Sequence, residues 1–234
     1  MRINKYIALC GVTSRRGADE LLASGRVFIN DLVVTDLGRT VGDEDRVEID
    51  GKVIAPIGRH IYIAFNKPRG TITTASDERG RETVIESLLK ARGAEILLGV
   101  RLFPVGRLDY ETEGLLVLTT DGDWANKISH PASKMPKTYV ATLGSSFDRR
   151  HIHALENGID IDGDGRMTLP AHAKMISHNK VQITITEGRN RQVRKMFASL
   201  GYKIAHLERI TVGNLKLQNL RRGEFRYISP DEIE

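Results

Sequence analysis

A run of four apolar residues and two threonines directly after a glycine-bounded polar loop is the strongest constraint in this sequence. Residues 106–114 (GRLDYETEG) include an arginine and an aspartate, residues 115–120 (LLVLTT) follow at once, and Asp121-Gly122 ends the run. This pattern predicts a loop, a short buried strand and a turn. A strand of this kind fixes the position of Asp109, which can then project into a cleft as a nucleophile or base. A turn-capping or solvent-facing carboxylate fits the same spacing.

The first ~55 residues have the pattern of a small separate module, which is short enough to be marginally stable alone. Apolar residues spaced by three and four predict a helix over residues 3–10, and Ser14 is placed to cap a second helix over 15–23. Two hairpins follow over residues 27–34 and 46–54, the second closed by an Asp-Gly dipeptide that favours a type I′ turn.

Charge is segregated within this module. Residues 1–30 hold five Lys or Arg against two acids, whereas residues 31–59 hold four against seven. A basic helical end suits docking on a phosphate backbone, although a solvated helical face produces the same count. The candidate phosphate-binding cations are Arg2, Lys5, Arg15, Arg16 and Arg26.

Three blocks of this region resemble an S4 RNA-binding domain: RINKYI at residues 2–7, SRRGAD at 14–19 and GRVFIN at 25–30. The resemblance covers about 55 residues and implies that the module contacts RNA. Pro56 to Arg59 has the composition of a short linker. We therefore predict an S4-like domain over residues 1–58 and a catalytic domain over 59–234.

Helix and strand patterns alternate irregularly in the rest of the chain. This favours an α+β domain with a largely antiparallel sheet over repeated βαβ units. The predicted elements are a strand at 61–65, a turn at 66–70 with two cations, a helix at 83–91, strands at 138–143 and 181–186, and a helix that follows the turn at 187–191 and ends near Gly201.

Positive charge concentrates near the C-terminus. Residues 187–226 hold ten Lys or Arg and three acids, an excess larger than the net charge of +5 for the whole chain. Arginines clustered at the start of a helix favour phosphate binding through both charge and helix dipole. Arg189, Arg191 and Lys195 are the candidates for this contact.

Four blocks of the second region resemble the RsuA/RluB/RluE/RluF family of ribosomal RNA pseudouridine synthases. They are GRLD with Thr112 and Gly114, KTY at 137–139, EGRNRQVRKM at 187–196, and the tail from Leu207 to Arg226. With the S4-like start, the resemblance spans nearly the whole chain. It implies a pseudouridine synthase fold with a mixed, largely antiparallel central sheet flanked by helices. It also implies isomerisation of a uridine to pseudouridine without a metal or organic cofactor.

The resemblance also implies roles for individual residues. Asp109 matches the catalytic aspartate, which either attacks C1′ or helps to expel uracil toward a glycal. Arg194 matches the basic residue that pairs with this aspartate. Tyr139 matches the aromatic residue that stacks on the target base. Whether its hydroxyl also helps to move the C5 proton is left open. Leu207 is the candidate for closing the pocket, and Arg107 for filling the space left by the flipped nucleotide or holding its phosphate.

The implied substrate is ribosomal RNA or a ribosomal subunit precursor. Residues 14–16 and 192–195 favour members that act on 23S rRNA, while residues 223–227 and 231–233 also resemble the 16S enzyme. One alternative function is a non-catalytic S4-type assembly factor. Another is a hydrolase with a metal at the acidic loop 160–164, but the twelfth position of a calcium loop would be Ala171, so an acidic turn is the favoured interpretation.

General features exclude several other classes of protein. Without an apolar run of ~18 residues or an apolar leader, we expect a cytoplasmic protein that does not contact membranes. Cys10 is the single cysteine, which excludes an internal disulfide and a thiolate zinc cluster. There is no phosphate-binding or dinucleotide-binding glycine motif, and a monomer is the default expectation.

Overall fold

The computed structural model describes residues 1–234 and divides into two compact units. The first, here the N-terminal unit, contains residues 1–61, 99–102 and 120–122. The second, here the catalytic unit, contains residues 62–98, 103–119 and 123–234. None of the helices has both the length and the apolar character needed to cross a lipid bilayer.

Six α-helices and thirteen strands make up the chain. The helices are α1 (Ile3–Leu9), α2 (Arg15–Ala23), α3 (Val84–Leu89), α4 (Gly122–Ser129), α5 (Ile152–Asn157) and α6 (Gln192–Ser199). The strands are β1 (Val27–Ile29), β2 (Leu32–Val33), β3 (Val47–Ile49), β4 (Lys52–Val53), β5 (Tyr62–Lys67), β6 (Phe103–Val105), β7 (Glu113–Thr119), β8 (Lys137–Leu143), β9 (His172–Ser177), β10 (Lys180–Ile185), β11 (Ile204–Val212), β12 (Leu215–Lys216) and β13 (Phe225–Tyr227).

The N-terminal unit has the two helices and two hairpins that its sequence predicts. The hydroxyl of Ser14 accepts the backbone N–H of Gly17 at 2.9 Å, which caps α2. Asp50 and Gly51 both have positive φ, as a type I′ turn requires. The four short strands form an antiparallel sheet in the order β2-β1-β3-β4. Ile3, Ile7, Ala18, Leu22, Val27, Ile29, Val41, Val47 and Ile49 form its buried core.

The catalytic unit is built on one nine-stranded sheet. Its main path runs β13-β5-β7-β11-β8-β10-β9, with β12 paired to β11 and β6 paired to β7. β7 and β11 run parallel, and every other pair is antiparallel. This confirms the predicted mixed, largely antiparallel sheet in an α+β fold.

β7 is the buried strand that the apolar run predicts, and all seven of its residues are buried. Trp124, Ala125 and Ile128 of α4 are buried in the same core as Val117, and the Trp124 ring meets Tyr62 edge-on with centroids 5.0 Å apart. Strand β7 is thus held between sheet neighbours and a covering helix, which leaves the loop before it a rigid attachment point.

The parallel contact between β7 and β11 depends on Gly114. Its φ is +103°, and a Cβ atom there would lie 2.3 Å from the carbonyl oxygen and 2.7 Å from the nitrogen of Arg209. Any larger residue would push the two strand backbones apart. Glycine at this position therefore sets the distance between the loop that carries Asp109 and strand β11.

We expect Gly114→Ala to lower the free energy of unfolding by about 3 kcal/mol or more, because strain at positive φ adds to a backbone clash. Urea denaturation followed by circular dichroism measures this change. Gly201→Ala is the matched control: Gly201 has φ +83°, but a methyl group added there would have no atom within 4 Å, so only the strain, about 1–2 kcal/mol, applies. Equal losses in both variants would contradict the argument from close approach.

Candidate active site

The loop that carries Asp109 is fixed by hydrogen bonds on both sides of that residue. Thr73 Oγ1 donates to the carbonyl of Leu108 at 2.7 Å and accepts its N–H at 3.2 Å. Gly70 donates its N–H to the carbonyl of Tyr110 at 2.9 Å, and Thr112 donates to the carbonyl of Asp109 at 3.0 Å. With its backbone held in this way, the Asp109 side chain projects from a fixed base.

A buried lysine supports the same loop from below. Lys67 is fully buried at the end of β5, and its Nζ donates to the carbonyls of Thr112 at 2.9 Å, Pro68 at 3.0 Å and Asp109 at 3.4 Å. Burial lowers the pKa of Lys67 to about 8, although the negative charges of Asp109 and Glu113 act to raise it.

The predicted turn at 66–70 was wrong at its start, since β5 continues through Lys67.

Two arginines lie near the carboxylate of Asp109 but are too far away to donate a hydrogen bond to it. Nε of Arg194 and Nη1 of Arg191 each lie 4.0 Å from its Oδ2. The Arg194 side chain is only 12% exposed, and its Nη2 donates to the carbonyl of Glu111 at 3.0 Å and to Thr112 Oγ1 at 3.3 Å. Its Nε is buried and has no hydrogen-bond partner. Burial lowers the pKa of Arg194, and the charges of Glu111 and Asp109 oppose that shift.

The floor beside this carboxylate is one face of two adjacent strands. Tyr139 on β8 is paired directly with Arg209 on β11, and Leu207 is two residues before Arg209. All three are buried, with exposed fractions of 8%, 3% and 3% for Tyr139, Leu207 and Arg209. Directly paired residues share a face of the sheet, so an aromatic ring, an aliphatic side chain and a guanidinium lie side by side.

A cavity of about 340 Å³ joins the loop to this floor. Its lining includes the predicted site residues Arg107, Asp109, Tyr139, Leu207, Arg189 and Arg191. Arg194 reaches Asp109 from α6, behind the lining, and Lys195 is not part of the cavity wall. The volume is sufficient for a single planar base, and its wall combines apolar surface with several cations and two partly exposed carboxylates, Asp109 and Glu187.

Comparison with known proteins identifies the class of enzyme to which this geometry belongs. Residues 61–199 match the family model described as RNA pseudouridylate synthase, and residues 1–47 match the S4 domain. The chain belongs to the RNA pseudouridylate synthase family. A crystal structure of a pseudouridylate synthase superposes with a TM-score of 0.71 and 31% identity, over 100% of this chain and 98% of the other.

Curated relatives of this pseudouridylate synthase match along the full chain. Ribosomal large subunit pseudouridine synthase B of Bacillus subtilis is 40% identical over all of this chain and 94% of its own length. Ribosomal small subunit pseudouridine synthase A of Vibrio cholerae is 34% identical over all of this chain and 98% of its own length. The dual-specificity RNA pseudouridine synthase RluF of Escherichia coli is 33% identical and covered to 77%.

The predicted RNA-binding cations of the catalytic unit differ in their surroundings. Arg107 is exposed at the cavity rim, and Arg191 is also ion-paired with Glu111 at 3.5 Å. Arg189 donates to the carbonyls of Arg166, at 2.9 Å, and of Met167. Lys195 is ion-paired with Asp162 in the acidic loop. Arg107 and Arg191 are therefore the members of this set best placed to meet a phosphate at the cavity.

The predicted RNA-binding cations of the N-terminal unit cluster around its helices. Arg15 and Arg16 are exposed in the first turn of α2, and Arg2 is exposed at the start of α1. Lys5 is half-buried on α1. Arg26 is exposed but forms a two-pronged ion pair with Asp50 at 2.5 and 2.9 Å. Arg15 and Arg16 thus present charge at a helix N-terminus, where backbone N–H groups also favour an anion.

The acidic loop is organised by its own backbone. The carboxylate of Asp160 accepts the backbone N–H groups of Asp162 at 3.2 Å, Gly163 at 2.8 Å and Gly165 at 2.8 Å. These bonds hold the carboxylate against its own backbone, and they lower the pKa of Asp160. The loop is accordingly a self-capped acidic turn.

Sequence reasoning missed Lys67 and gave no role to Arg209. Both are charged residues at inward-facing strand positions, where an apolar side chain is usual. Two signals in the sequence could have identified them. Lys67 is a lysine that continues an apolar strand, and Arg209 is an arginine two residues after Leu207 on the same strand face. Each departs from the expected alternation at the point where the site is built.

The buried amine of Lys67 predicts a specific pH dependence of stability. Its pKa of about 8 in the folded chain is below the ordinary 10.5, so the unfolded chain binds more protons between these values and stability rises with pH. The unfolding free energy of the wild type minus that of Lys67→Met should therefore increase with pH, by up to about 1.4 kcal/mol per pH unit across this window.

Urea denaturation from pH 7 to 10.5 measures the difference. Lys174→Met, at an exposed lysine on β9, is the control and should show a difference that does not change with pH. A flat difference for Lys67→Met as well would show that Lys67 does not titrate in this window.

Proposed function

We propose that this enzyme isomerises a specific uridine of ribosomal RNA to pseudouridine, with 23S rRNA of the large subunit as the favoured substrate. The main support is that Asp109 and Tyr139 line one cavity, with Arg194 4.0 Å from Asp109 behind its wall, in a member of the pseudouridylate synthase family. Identity of 40% to a large-subunit enzyme, against 34% to a small-subunit enzyme, supports the preference for 23S rRNA.

Asp109 is the proposed catalytic nucleophile. Its carboxylate can attack C1′ of the target nucleotide or assist the departure of uracil toward a glycal. Arg194 keeps this carboxylate charged and oriented once the entering base displaces water. The present 4.0 Å separation leaves room for the pair to close to hydrogen-bond distance in the complex.

Tyr139 and Leu207 are the proposed contacts to the target base. The tyrosine ring supplies a stacking surface, and the leucine closes the pocket against the ring of the uracil. The uridine must leave its helix or loop to reach Asp109, at a cost of about a few kcal/mol. Arg107 at the rim is placed to fill the vacated space or to hold the phosphate of the flipped nucleotide.

Attraction to the RNA is assigned to cations outside the reacting centre. Arg2, Lys5, Arg15, Arg16 and Arg26 of the N-terminal unit, with Arg189, Arg191 and Lys195, supply sequence-independent contacts to phosphates. We further propose that the enzyme acts in the cytoplasm as a monomer, on ribosomal RNA or a subunit precursor, without a cofactor.

Asp109→Asn should abolish pseudouridine formation because the amide is neither nucleophile nor base. We expect a loss of at least about 10⁴-fold in turnover with no loss of RNA affinity. Tritium release from rRNA labelled at uridine C5 measures turnover, and filter binding measures affinity. Asp164→Asn, at an exposed carboxylate outside the cavity, is the control and should retain wild-type turnover.

Mapping then identifies the target. Carbodiimide labelling and primer extension on 16S and 23S rRNA should show one stop that disappears in cells lacking the gene and returns with wild type but not with Asp109→Asn. An unchanged stop pattern would favour a non-catalytic assembly factor, and turnover by Asp109→Asn would refute the nucleophile. Loss of activity on chelation of metals would revive a metal-dependent hydrolase.

Arg15→Ala with Arg16→Ala should weaken RNA binding and make the slope of log K against log salt less negative by about 1–2, since each phosphate contact releases about one counterion. Titrations at several salt concentrations measure the slope. The control is Arg39→Ala with Arg46→Ala, which removes two arginines ion-paired with acids from the same unit. Equal changes in both double variants would argue for a general charge effect.

A further inference from the structure

Arg209 is a buried cation at the cavity with no acidic partner. Its side chain is 3% exposed, its Nε donates to the carbonyl of Leu115 at 2.7 Å, and no Asp or Glu is ion-paired with it. Burying a charge without a counter-charge is costly, so a guanidinium in this state usually has a further ligand. The cavity is the place from which such a ligand can come.

Other cations surround Arg209 and add to this imbalance. Arg209 contributes to the lowered pKa of both Lys67 and Lys137, after the larger effect of burial. Lys137 also lines the cavity, and its Nζ donates to the carbonyl of Met135 at 2.8 Å. Arg209 and Lys137 thus line the same cavity as the carboxylates of Asp109 and Glu187, and Lys67 is close enough to be affected by the charges of Arg209, Asp109 and Glu113. This is the field expected of a site that stabilises negative charge on a bound group.

The position of Arg209 relative to Tyr139 indicates which part of a bound base lies next to the guanidinium. The two residues are directly paired across β11 and β8, and both line the cavity. A base stacked on the tyrosine ring has its edge next to the neighbouring strand position. The hydrogen-bond acceptors on the edge of uracil are the carbonyl oxygens O2 and O4.

We propose that Arg209 is a further catalytic residue that donates from its Nη atoms to a carbonyl oxygen of the flipped uracil and stabilises the negative charge that develops there. This inference rests on the proposed pseudouridine synthase function.

The charge arises when the N1–C1′ bond breaks and its electron pair stays with uracil, spread over N1, O2 and O4. C1′ is then bonded to an oxygen of Asp109, or the sugar has lost a proton from C2′ to form the glycal. After the base turns, C5 forms its bond to C1′; this step releases the carboxylate, or the glycal regains its proton at C2′. C5 finally loses a proton and N1 gains one, so no oxidant, reductant or water is consumed.

The first test compares single-turnover rate constants of Arg209→Met and Arg209→Lys with wild type on an RNA fragment that contains the mapped target. Loss of a donor to a developing anion predicts about a 100-fold lower rate for Arg209→Met and a smaller loss for Arg209→Lys. Lys216→Met, which removes an exposed cation from the same sheet, is the control for net charge and should keep the wild-type rate. Filter binding at matched salt should show unchanged RNA affinity for all three.

The second test separates contact with the base from a structural role through Leu115. The target uridine is replaced by 2-thiouridine or 4-thiouridine, because sulfur accepts hydrogen bonds poorly. One of the two should slow the wild type by about tenfold or more and have much less effect on Arg209→Met, since the contact is already lost. If Arg209→Met does not fold, the wild type alone decides, because no slowing by either thio substitution would refute the contact.

The outcomes distinguish this inference from the proposed function. Wild type that forms no pseudouridine in the unmodified RNA refutes both. Active wild type with a near-normal rate for Arg209→Met refutes the role of Arg209 alone. Equal slowing of wild type and variant by each thio substitution refutes the contact and leaves Arg209 as a support for strand β7.

Discussion

The close approach of β7 and β11 at Gly114 is the constraint on which the active site depends. Because Gly114 has no Cβ, the backbones of the parallel strands β7 and β11 can approach closely at Arg209, where a Cβ would lie 2.3 Å from the carbonyl oxygen. Asp109 comes from that loop, Arg209 and Leu207 come from β11, and Tyr139 comes from the next strand, β8. One glycine therefore sets the distance between groups that are far apart in sequence.

Electrostatics within the site follow from this packing. The partly exposed carboxylate of Asp109 faces Arg191 and Arg194 at the start of α6, while the strand floor of the cavity holds Arg209, a buried cation with no ion-paired acid. Lys67 offsets the free-energy cost of its burial by donating hydrogen bonds to backbone carbonyls of the loop. The same buried charge therefore stabilises the loop and adds to the positive charge near the site. Such a site is preorganised for an anion before any substrate arrives, because its cations are fixed by the fold.

The sequence predicted the local features of this chain better than the distant ones. Ser14 as the cap of α2 and the turn at Asp50 depend on neighbouring residues alone, and both are found where expected. The parallel pairing of β7 with β11 joins residues 95 positions apart, as in the pair formed by Glu113 and Glu208, and no local pattern reports such a contact. The family motifs predicted Asp109, Tyr139 and Arg194 as site residues, and the structure places the first two at one cavity with Arg194 4.0 Å from Asp109. They gave no sign of Lys67 at the end of a strand, because support for a loop depends on burial.

The division between the two units follows the two different demands of RNA modification. Attraction to a phosphate backbone requires exposed charge, and Arg15 and Arg16 provide it at a helix end without disturbing a core. The proposed chemistry on a base requires cations held away from bulk water, which are costly unless packing fixes them, and Arg194 and Arg209 are both buried in this way. Exposed cations can be exchanged or screened with little effect on folding, whereas a buried cation affects stability and catalysis together. The arginines of this chain are therefore not equivalent, and their burial separates those proposed to bind the RNA backbone from those proposed to act at the target base.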